Sequence, residues 1–239
     1  FRSYVDELGK EFGFSSLYGG LGGCPPLLSS DLIKHGEPEM PCSERNDQLA
    51  MEIKESDVSV VFLAGRWAMY TETTRAEGEK GSRVFVGDSS DYSENKENSR
   101  RALKEGLERT IAFLIENDIT PVLFEQAPSY SFKPSNCWVK KASYPWLENT
   151  YCDLEEQDME LRQGFANNLI KEVTDKFPEV ILIPVVDTLC QNGKCSSKLN
   201  GIPLYSDNNH LNSEGAREIY RTSMSDGKLQ VLIDRLKTL

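Results

Sequence analysis

The stretch Val60-Val-Phe-Leu-Ala64 decides the fold class of this chain. It is an unbroken apolar run, which is typical of a strand buried on both faces of a sheet. Pro121-Val-Leu-Phe124 and residues 180–185 are similar runs. Apolar residues recur at helical spacing over about 103–115 and 154–177. Buried strands that alternate with amphipathic helices predict an α/β fold with a parallel sheet and helices on both faces.

The flanking segments extend this pattern to a single domain, residues 1–239, which suits the chain length. The first twelve residues have apolar side chains at helical spacing and predict an amphipathic helix. Residues 14–18 are predicted to form a short strand. Asn212 is placed to cap a helix that runs to about Ser223, and a last amphipathic helix follows.

The rest of the chain is predicted to be loops. Irregular structure is expected for 29–46 and 129–152, and residues 71–98 are expected to form an exposed polar excursion with one short strand. The working residues of a parallel sheet sit on loops at the carboxyl ends of its strands. The loops that follow predicted strands are residues 19–26, 65–67 and 126–128.

The chain is acidic, with 38 Asp and Glu residues, 27 Lys and Arg residues and a formal net charge of −11. Nucleic acids and anionic membranes bind basic surfaces, so neither is an expected partner. A neutral substrate, such as a sugar hydroxyl or an acyl ester, fits this charge better.

The six cysteines contain no C-x-x-C pair, and only two histidines accompany them, so a structural zinc site is not expected. Cys190 and Cys195 flank a short turn and are predicted to form a disulfide. The even number of cysteines indicates an oxidising compartment. Buried free thiols in a cytosolic protein are the alternative.

The segment Tyr205-Ser-Asp207-Asn-Asn-His210-Leu211 carries the clearest chemical signal. Serine catalysis needs an imidazole to take the hydroxyl proton and a carboxylate to fix the tautomer of that imidazole. A D-x-x-H turn can place both side chains on one side of a loop. The other histidine, His35, lies in an ordinary surface context, so Asp207 and His210 are the predicted pair. A capped, solvated loop without chemistry is the alternative.

The order of motifs along the chain resembles an SGNH-type hydrolase domain. The motifs are Gly23-Cys-Pro-Pro-Leu27, Val61-Phe-Leu-Ala-Gly-Arg66-Trp67, the helix at 99–110, the two cysteines Cys190 and Cys195, and Leu204-Tyr-Ser-Asp207-Asn-Asn-His210-Leu211. More narrowly, the chain is similar to the extracytoplasmic SGNH domain attached to polytopic membrane acyltransferases that O-acetylate bacterial surface polysaccharides. This resemblance covers nearly the whole chain. It implies a flavodoxin-like three-layer α/β/α sandwich with a mostly parallel sheet, and a catalytic role for Asp207 and His210.

The same resemblance places the nucleophilic serine in a Gly-Asp-Ser turn ahead of the Gly-Cys-Pro-Pro loop. Phe1 looks like part of the helix after that turn, so the first strand and the serine are expected upstream of Phe1. Gly87-Asp88-Ser89 has the same three letters, but it follows the Gly-Cys-Pro-Pro loop and lies some ten residues before a predicted helix. We interpret Ser89 as a coincidence.

Three further residues are candidates for the site. Gly23 can bring a backbone N–H close to an oxyanion because it has no Cβ, although it can equally be a simple turn glycine. Arg66 follows a predicted strand where many SGNH enzymes place an Asn. It is therefore a candidate charged donor or substrate ligand, with a structural Arg as the alternative. Trp67 can stack on a sugar ring, but core packing is the simpler interpretation.

These observations and the resemblance predict an O-acyltransferase domain that passes an acetyl group through an acyl-serine to a hydroxyl of a cell-surface glycan. The expected partners are the glycan acceptor and an acetyl donor delivered by a membrane acyltransferase domain of the same protein. No cofactor, metal or nucleic acid is expected. The expected location is periplasmic or otherwise extracytoplasmic, as part of an inner-membrane protein. A carbohydrate acetyl esterase with the same site, or a non-catalytic glycan-binding module, are the alternatives.

Overall fold

The computed structural model describes residues 1–147 and 151–237. Its helices are α1 (Arg2–Phe12), α2 (Cys42–Lys54), α3 (Trp67–Glu72), α4 (Lys96–Glu116), α5 (Pro134–Ser143), α6 (Glu156–Lys176), α7 (Val185–Leu189), α8 (Ser213–Ser225) and α9 (Gln230–Leu236), with a 3₁₀ turn at Pro145–Leu147. Its strands are β1 (Asp31–Lys34), β2 (Glu37–Met40), β3 (Val60–Leu63), β4 (Phe85–Gly87), β5 (Thr120–Phe124), β6 (Leu154–Glu155), β7 (Ile181–Ile183), β8 (Cys190–Gln191), β9 (Lys194–Cys195), β10 (Lys198–Leu199) and β11 (Ile202–Pro203).

The three apolar runs predicted as buried strands form one parallel sheet in the order β3-β5-β7. Every residue of the central strand β5 is buried. Alternate side chains of a strand point to opposite faces of a sheet. Leu123 packs in a core with α3, α4 and α6, whereas Val122 and Phe124 pack in a second core with α1, α8 and α9. Helices therefore cover both faces of the parallel sheet, as predicted.

The other strands form small antiparallel sheets. Their orders are β2-β1-β4, β6-β9-β8 and β10-β11. The chain is therefore a mixed α/β protein in which one parallel sheet is accompanied by short antiparallel sheets.

The strand predicted at residues 14–18 is wrong. Helix α1 ends at Gly13, whose φ of 79° is left-handed, and the N–H groups of Gly13 and Phe14 both donate to Gly9 O, at 2.9 and 3.1 Å. The chain then leaves the helix without meeting a partner strand, and Leu17 and Tyr18 stay 98% and 73% exposed. The backbone N–H and C=O groups of a strand must pair with a neighbouring strand. An apolar run does not by itself provide that neighbour. The loop at 19–26 therefore does not follow a strand.

Stretches predicted to be irregular contain regular elements. Strands β1 and β2 and the start of α2 lie within residues 29–46, and α5 lies within 129–152. The excursion at 71–98 is only partly exposed, because β4 pairs with β1 and its residues are buried. Strands β1 and β4 pair across about 50 residues, so local spacing carries little signal for that pairing.

The cysteines form three disulfides: Cys24–Cys42, Cys137–Cys152 and Cys190–Cys195. The predicted Cys190–Cys195 bridge is confirmed, and the other four cysteines are paired as well.

We expect thiol titration of the denatured, unreduced protein to detect no free thiol, because all six cysteines are bridged. The same titration after reduction should detect all six and serves as the control. Six free thiols before reduction would contradict the pairing and would favour buried thiols in a reducing compartment.

Candidate active site

Residues 206–210 form a tight loop directly before α8. An antiparallel bridge between Tyr205 and Leu211 closes the loop, and Ser206 N donates to His210 O at 2.9 Å. Asn212 Oδ1 accepts the N–H of Gly215 at 2.7 Å, so the predicted helix cap is present. A side chain at Gly215 would collide with the backbone of Leu204. Both ends of the loop are therefore held by hydrogen bonds and close packing.

Asp207 and His210 are hydrogen-bonded, as predicted. Asp207 Oδ2 lies 2.7 Å from His210 Nδ1, and Asp207 Oδ1 accepts the N–H groups of Asn209 (2.9 Å) and His210 (2.7 Å). A carboxylate at Nδ1 favours the tautomer that carries its proton on Nδ1. Nε2 is then left as the basic nitrogen, on a side chain that is 61% exposed. The pair has the geometry of a general base and its orienting carboxylate.

The environment of Asp207 keeps its carboxyl group ionised. Burial by itself raises the pKa of Asp207, but bonds from the N–H groups of Asn209 and His210 and from the imidazole lower it further than burial raises it. The net pKa lies below the ordinary value of an aspartate. Asp207 is therefore an acceptor over the physiological pH range, as an orienting carboxylate must be.

Glu79 connects this loop to Arg66. One carboxylate oxygen of Glu79 lies 2.8 Å from Arg66 Nη2, and the other accepts a hydrogen bond from the side-chain amide of Asn209. The neighbouring Asn208 donates to the backbone oxygen of Glu77 at 3.0 Å. Part of the polar excursion therefore packs against the candidate site, and Glu79 is a residue that the sequence reasoning missed.

Arg66 and Gly23 lie on the same side of the sheet as α3. Arg66 precedes α3, is half-buried, and its Nε is buried without a hydrogen-bond partner among the described residues. Tyr70 of α3 donates its hydroxyl to Gly23 O at 2.9 Å. Gly23 is exposed with a φ of 90°, a backbone conformation that favours glycine. Arg66 is thus linked to the 206–210 loop through Glu79, and Gly23 is tied to α3. The catalytic roles of both remain predictions.

The carboxyl ends of β3 and β5 meet at this edge of the sheet. Trp67, directly after β3, is fully buried and donates to Phe124 O at 2.9 Å, so it is a core residue and offers no stacking face. Tyr130, in the segment after β5, donates its backbone N–H to Asn208 O at 2.7 Å. The ring of Phe1 stacks on Phe124 with centroids 4.3 Å apart, which places the amino end of α1 at the same edge.

The two remaining candidates lie in other surroundings. Ser89 is exposed in the turn after β4, next to the buried Asp88, which bonds to Ser90 and Arg101. That turn belongs to the antiparallel sheet of β1, β2 and β4. His35 occupies the exposed β1–β2 turn with a φ of 58°. That neither residue belongs to the site stays a prediction.

Within residues 1–147 and 151–237, no three His, Cys, Asp or Glu side chains are grouped closely enough to hold a metal ion. The helices in this part of the chain are all too short or too polar to span a bilayer.

Comparison with known proteins defines the class. The family model described as "SGNH domain (fused to AT3 domains)" matches residues 1–221. The chain belongs to this family.

Among solved structures, the periplasmic domain of the Salmonella ser. Paratyphi A lipopolysaccharide acetyltransferase has a similar fold, with a TM-score of 0.58 and 15% sequence identity. The match covers 94% of this chain and 77% of the Salmonella chain. No curated protein matches the sequence.

Proposed function

We propose that this chain is a serine-dependent O-acyltransferase domain that moves an acetyl group to a hydroxyl of a cell-surface glycan. The observation that carries the proposal is the Asp207–His210 pair, with Nδ1 held by the carboxylate and Nε2 left basic. In the first step Nε2 takes the proton of a serine hydroxyl while the serine oxygen attacks the acetyl donor. The proton then passes to the leaving group of the donor. In the second step Nε2 takes the proton of the glycan hydroxyl, whose oxygen attacks the acyl-serine, and returns it to the serine.

The remaining roles follow from this mechanism. The negative oxygen of each tetrahedral intermediate needs hydrogen-bond donors, for which we propose the N–H of Gly23 and the guanidinium of Arg66. The serine is expected in a Gly-Asp-Ser turn upstream of Phe1. The position of Phe1 against Phe124 supports this, because a residue just ahead of α1 would lie at the edge of the sheet that carries the site. The helix amino terminus would favour the developing charge.

The setting of the domain is proposed from the family and the disulfides. Fusion to AT3 domains in this family supports a membrane acyltransferase domain of the same protein as the acetyl donor. Three disulfides and the periplasmic origin of the Salmonella domain support a periplasmic location. Helices on both faces of the parallel sheet support the flavodoxin-like three-layer sandwich implied by the resemblance.

A carbohydrate acetyl esterase is the second candidate function, and the 61% exposure of the His210 side chain favours it. Water can reach an exposed imidazole as readily as a sugar hydroxyl can. The two functions differ only in which acceptor attacks the acyl-serine.

Reaction with a fluorophosphonate probe tests the proposal, because the probe labels activated serines. We expect one labelled serine, mapped by mass spectrometry to a position upstream of Phe1, when the natural residues that precede Phe1 are present. Labelling at Ser89 would contradict the assignment, and labelling nowhere would favour the glycan-binding module. Product analysis with an acetyl donor and a glycan then separates transfer from hydrolysis.

Glu79→Ala should lower turnover of an acetyl ester by roughly 10- to 100-fold, because small displacements of catalytic groups are costly. The substitution removes the contacts that fix Asn209 and Arg66. Glu77→Ala is the matched control, since Glu77 meets the loop through its backbone oxygen and its side chain is exposed. Equal losses in the two variants would contradict a specific role for Glu79.

A further inference from the structure

Two segments next to the candidate site carry a charge opposite to that of the whole chain. Residues 129–147 contain Lys133, Lys140 and Lys141, and residues 190–206 contain Lys194 and Lys198, with no Asp or Glu in either segment. The rest of the chain keeps 22 basic residues against all 38 acidic ones. We call these two segments together the lysine face.

The two segments of the lysine face are in direct contact. Trp138 Nε1 donates to Ser197 Oγ at 2.9 Å, and Lys198 Nζ lies 4.9 Å from the centre of the Trp138 ring. Tyr130 donates its hydroxyl to Cys195 O at 3.0 Å. The disulfides Cys137–Cys152 and Cys190–Cys195 fix both segments. The two segments are therefore braced against each other, and within the lysine face Lys194 pairs with Glu155, whose carboxylate lies 3.5 Å from Lys194 Nζ.

Exposed apolar side chains lie in the 129–147 segment of the lysine face. Val139 and Trp146 are 65% and 76% exposed, Tyr144 is 46% exposed, and the rings of Tyr144 and Trp146 lie 5.0 Å apart. Aromatic rings offer flat apolar faces to the C–H groups of sugar rings, and lysine ammonium groups bond carboxylate and phosphate oxygens. Aromatic and cationic side chains together suit a sugar polymer that bears negative groups.

The lysine face leads directly to the candidate site. Phe132 and Lys133 line an open pocket of about 280 Å³, whose other walls include the acidic residues Glu77, Glu79 and Asp207. An acceptor hydroxyl must come within hydrogen-bond reach of His210, so a polymer lying on this face would present its hydroxyls near the 206–210 loop. This position favours a glycan over an anionic bilayer, which the same residue types can also bind.

We propose that the lysine face binds the acceptor, and that this acceptor is an anionic glycan with carboxylate or phosphate groups. The proposal rests on the proposed function and deepens it. It differs from the expectation of a neutral substrate drawn from the net charge, which stays the alternative. The acidic remainder of the chain repels an anionic polymer and so confines it to this face.

Binding of defined polymers tests the proposal without any turnover. We expect the wild-type chain to bind polygalacturonate, a phosphomannan or both, with affinity that falls as salt rises, and not to bind neutral dextran. Binding of polygalacturonate would show that the face recognises carboxylate groups, and binding of the phosphomannan would show that it recognises phosphate groups. Binding to neither polymer, or binding only to phosphatidylglycerol vesicles, would overturn the proposal.

Charge reversal locates the binding surface. Lys133→Glu/Lys140→Glu should weaken polymer binding by about tenfold or more. Lys54→Glu/Lys237→Glu, which makes the same charge change at exposed positions elsewhere, should leave the affinity within about twofold. Equal losses in the two double variants would overturn the proposal.

If the first double variant fails to fold, Trp146→Ala provides the test at an exposed position, and unchanged binding would then count against the proposal. Acetyl-ester turnover by the wild type reports separately on the proposed function.

Discussion

Replacing His210 with alanine should lower turnover of a small acetyl ester by a factor of about 10³ or more, when the natural residues upstream of Phe1 are present. His210 is held by Asp207 at Nδ1, which leaves Nε2 as the one basic nitrogen of the pair. Without the His210 imidazole, no described group is positioned to take the serine proton, and the developing alkoxide is not stabilised. The measurement is kcat/KM for the ester together with the rate of fluorophosphonate labelling, and both should fall.

His35→Ala is the matched control, because His35 is the other histidine of the chain and lies in the exposed β1–β2 turn. This variant should retain wild-type turnover. A large loss in His35→Ala with an active His210→Ala would mean that the site has been assigned to the wrong histidine. Thermal unfolding of both variants should stay close to that of the wild type, since both side chains are exposed.

The parts of the site that were predictable depend on short sequence separations. Asp207 and His210 are three residues apart, so one tight turn brings them together, and the Asn212 cap is equally local. The parallel strands were predictable because each is an unbroken apolar run between amphipathic helices. The Cys190–Cys195 bridge closes a short turn in the same way.

The unpredicted parts depend on long separations. Glu79 reaches Asn209 across 130 residues, and nothing in the polar excursion distinguishes it from the other glutamates there. The lysine face joins two segments that the sequence separates by more than 40 residues. Each segment alone looks like an ordinary irregular loop. The strand wrongly predicted at 14–18 is the reverse case, since a locally suitable pattern found no partner strand.

Asp207→Asn should lower acetyl-ester turnover by about 10²- to 10³-fold, which is less than the loss in His210→Ala because the imidazole survives. Asp207 accepts three hydrogen bonds, from Asn209 N, His210 N and His210 Nδ1. An asparagine has one oxygen and one NH₂ group, so it cannot accept at both positions. If its NH₂ faces the imidazole, Nδ1 must become the acceptor and Nε2 carries the proton. If its NH₂ faces the two backbone N–H groups, the turn loses its acceptor.

The lowered pKa of Asp207 gives this prediction a second measurement. The pKa of Asp207 is lower in the folded protein than in the unfolded chain, where an aspartate has a pKa of about 3.9. Its ionised carboxylate therefore stabilises the fold at any pH above that unfolded value. This stabilisation is lost as the pH falls through the folded pKa. Wild-type stability should therefore decrease in acid partly through Asp207, and Asp207→Asn should remove that component. Asp57→Asn, at an exposed position after α2, is the control and should leave turnover unchanged. Full turnover in Asp207→Asn would show that the imidazole needs no carboxylate, and the Asp207–His210 contact would then only shape the loop.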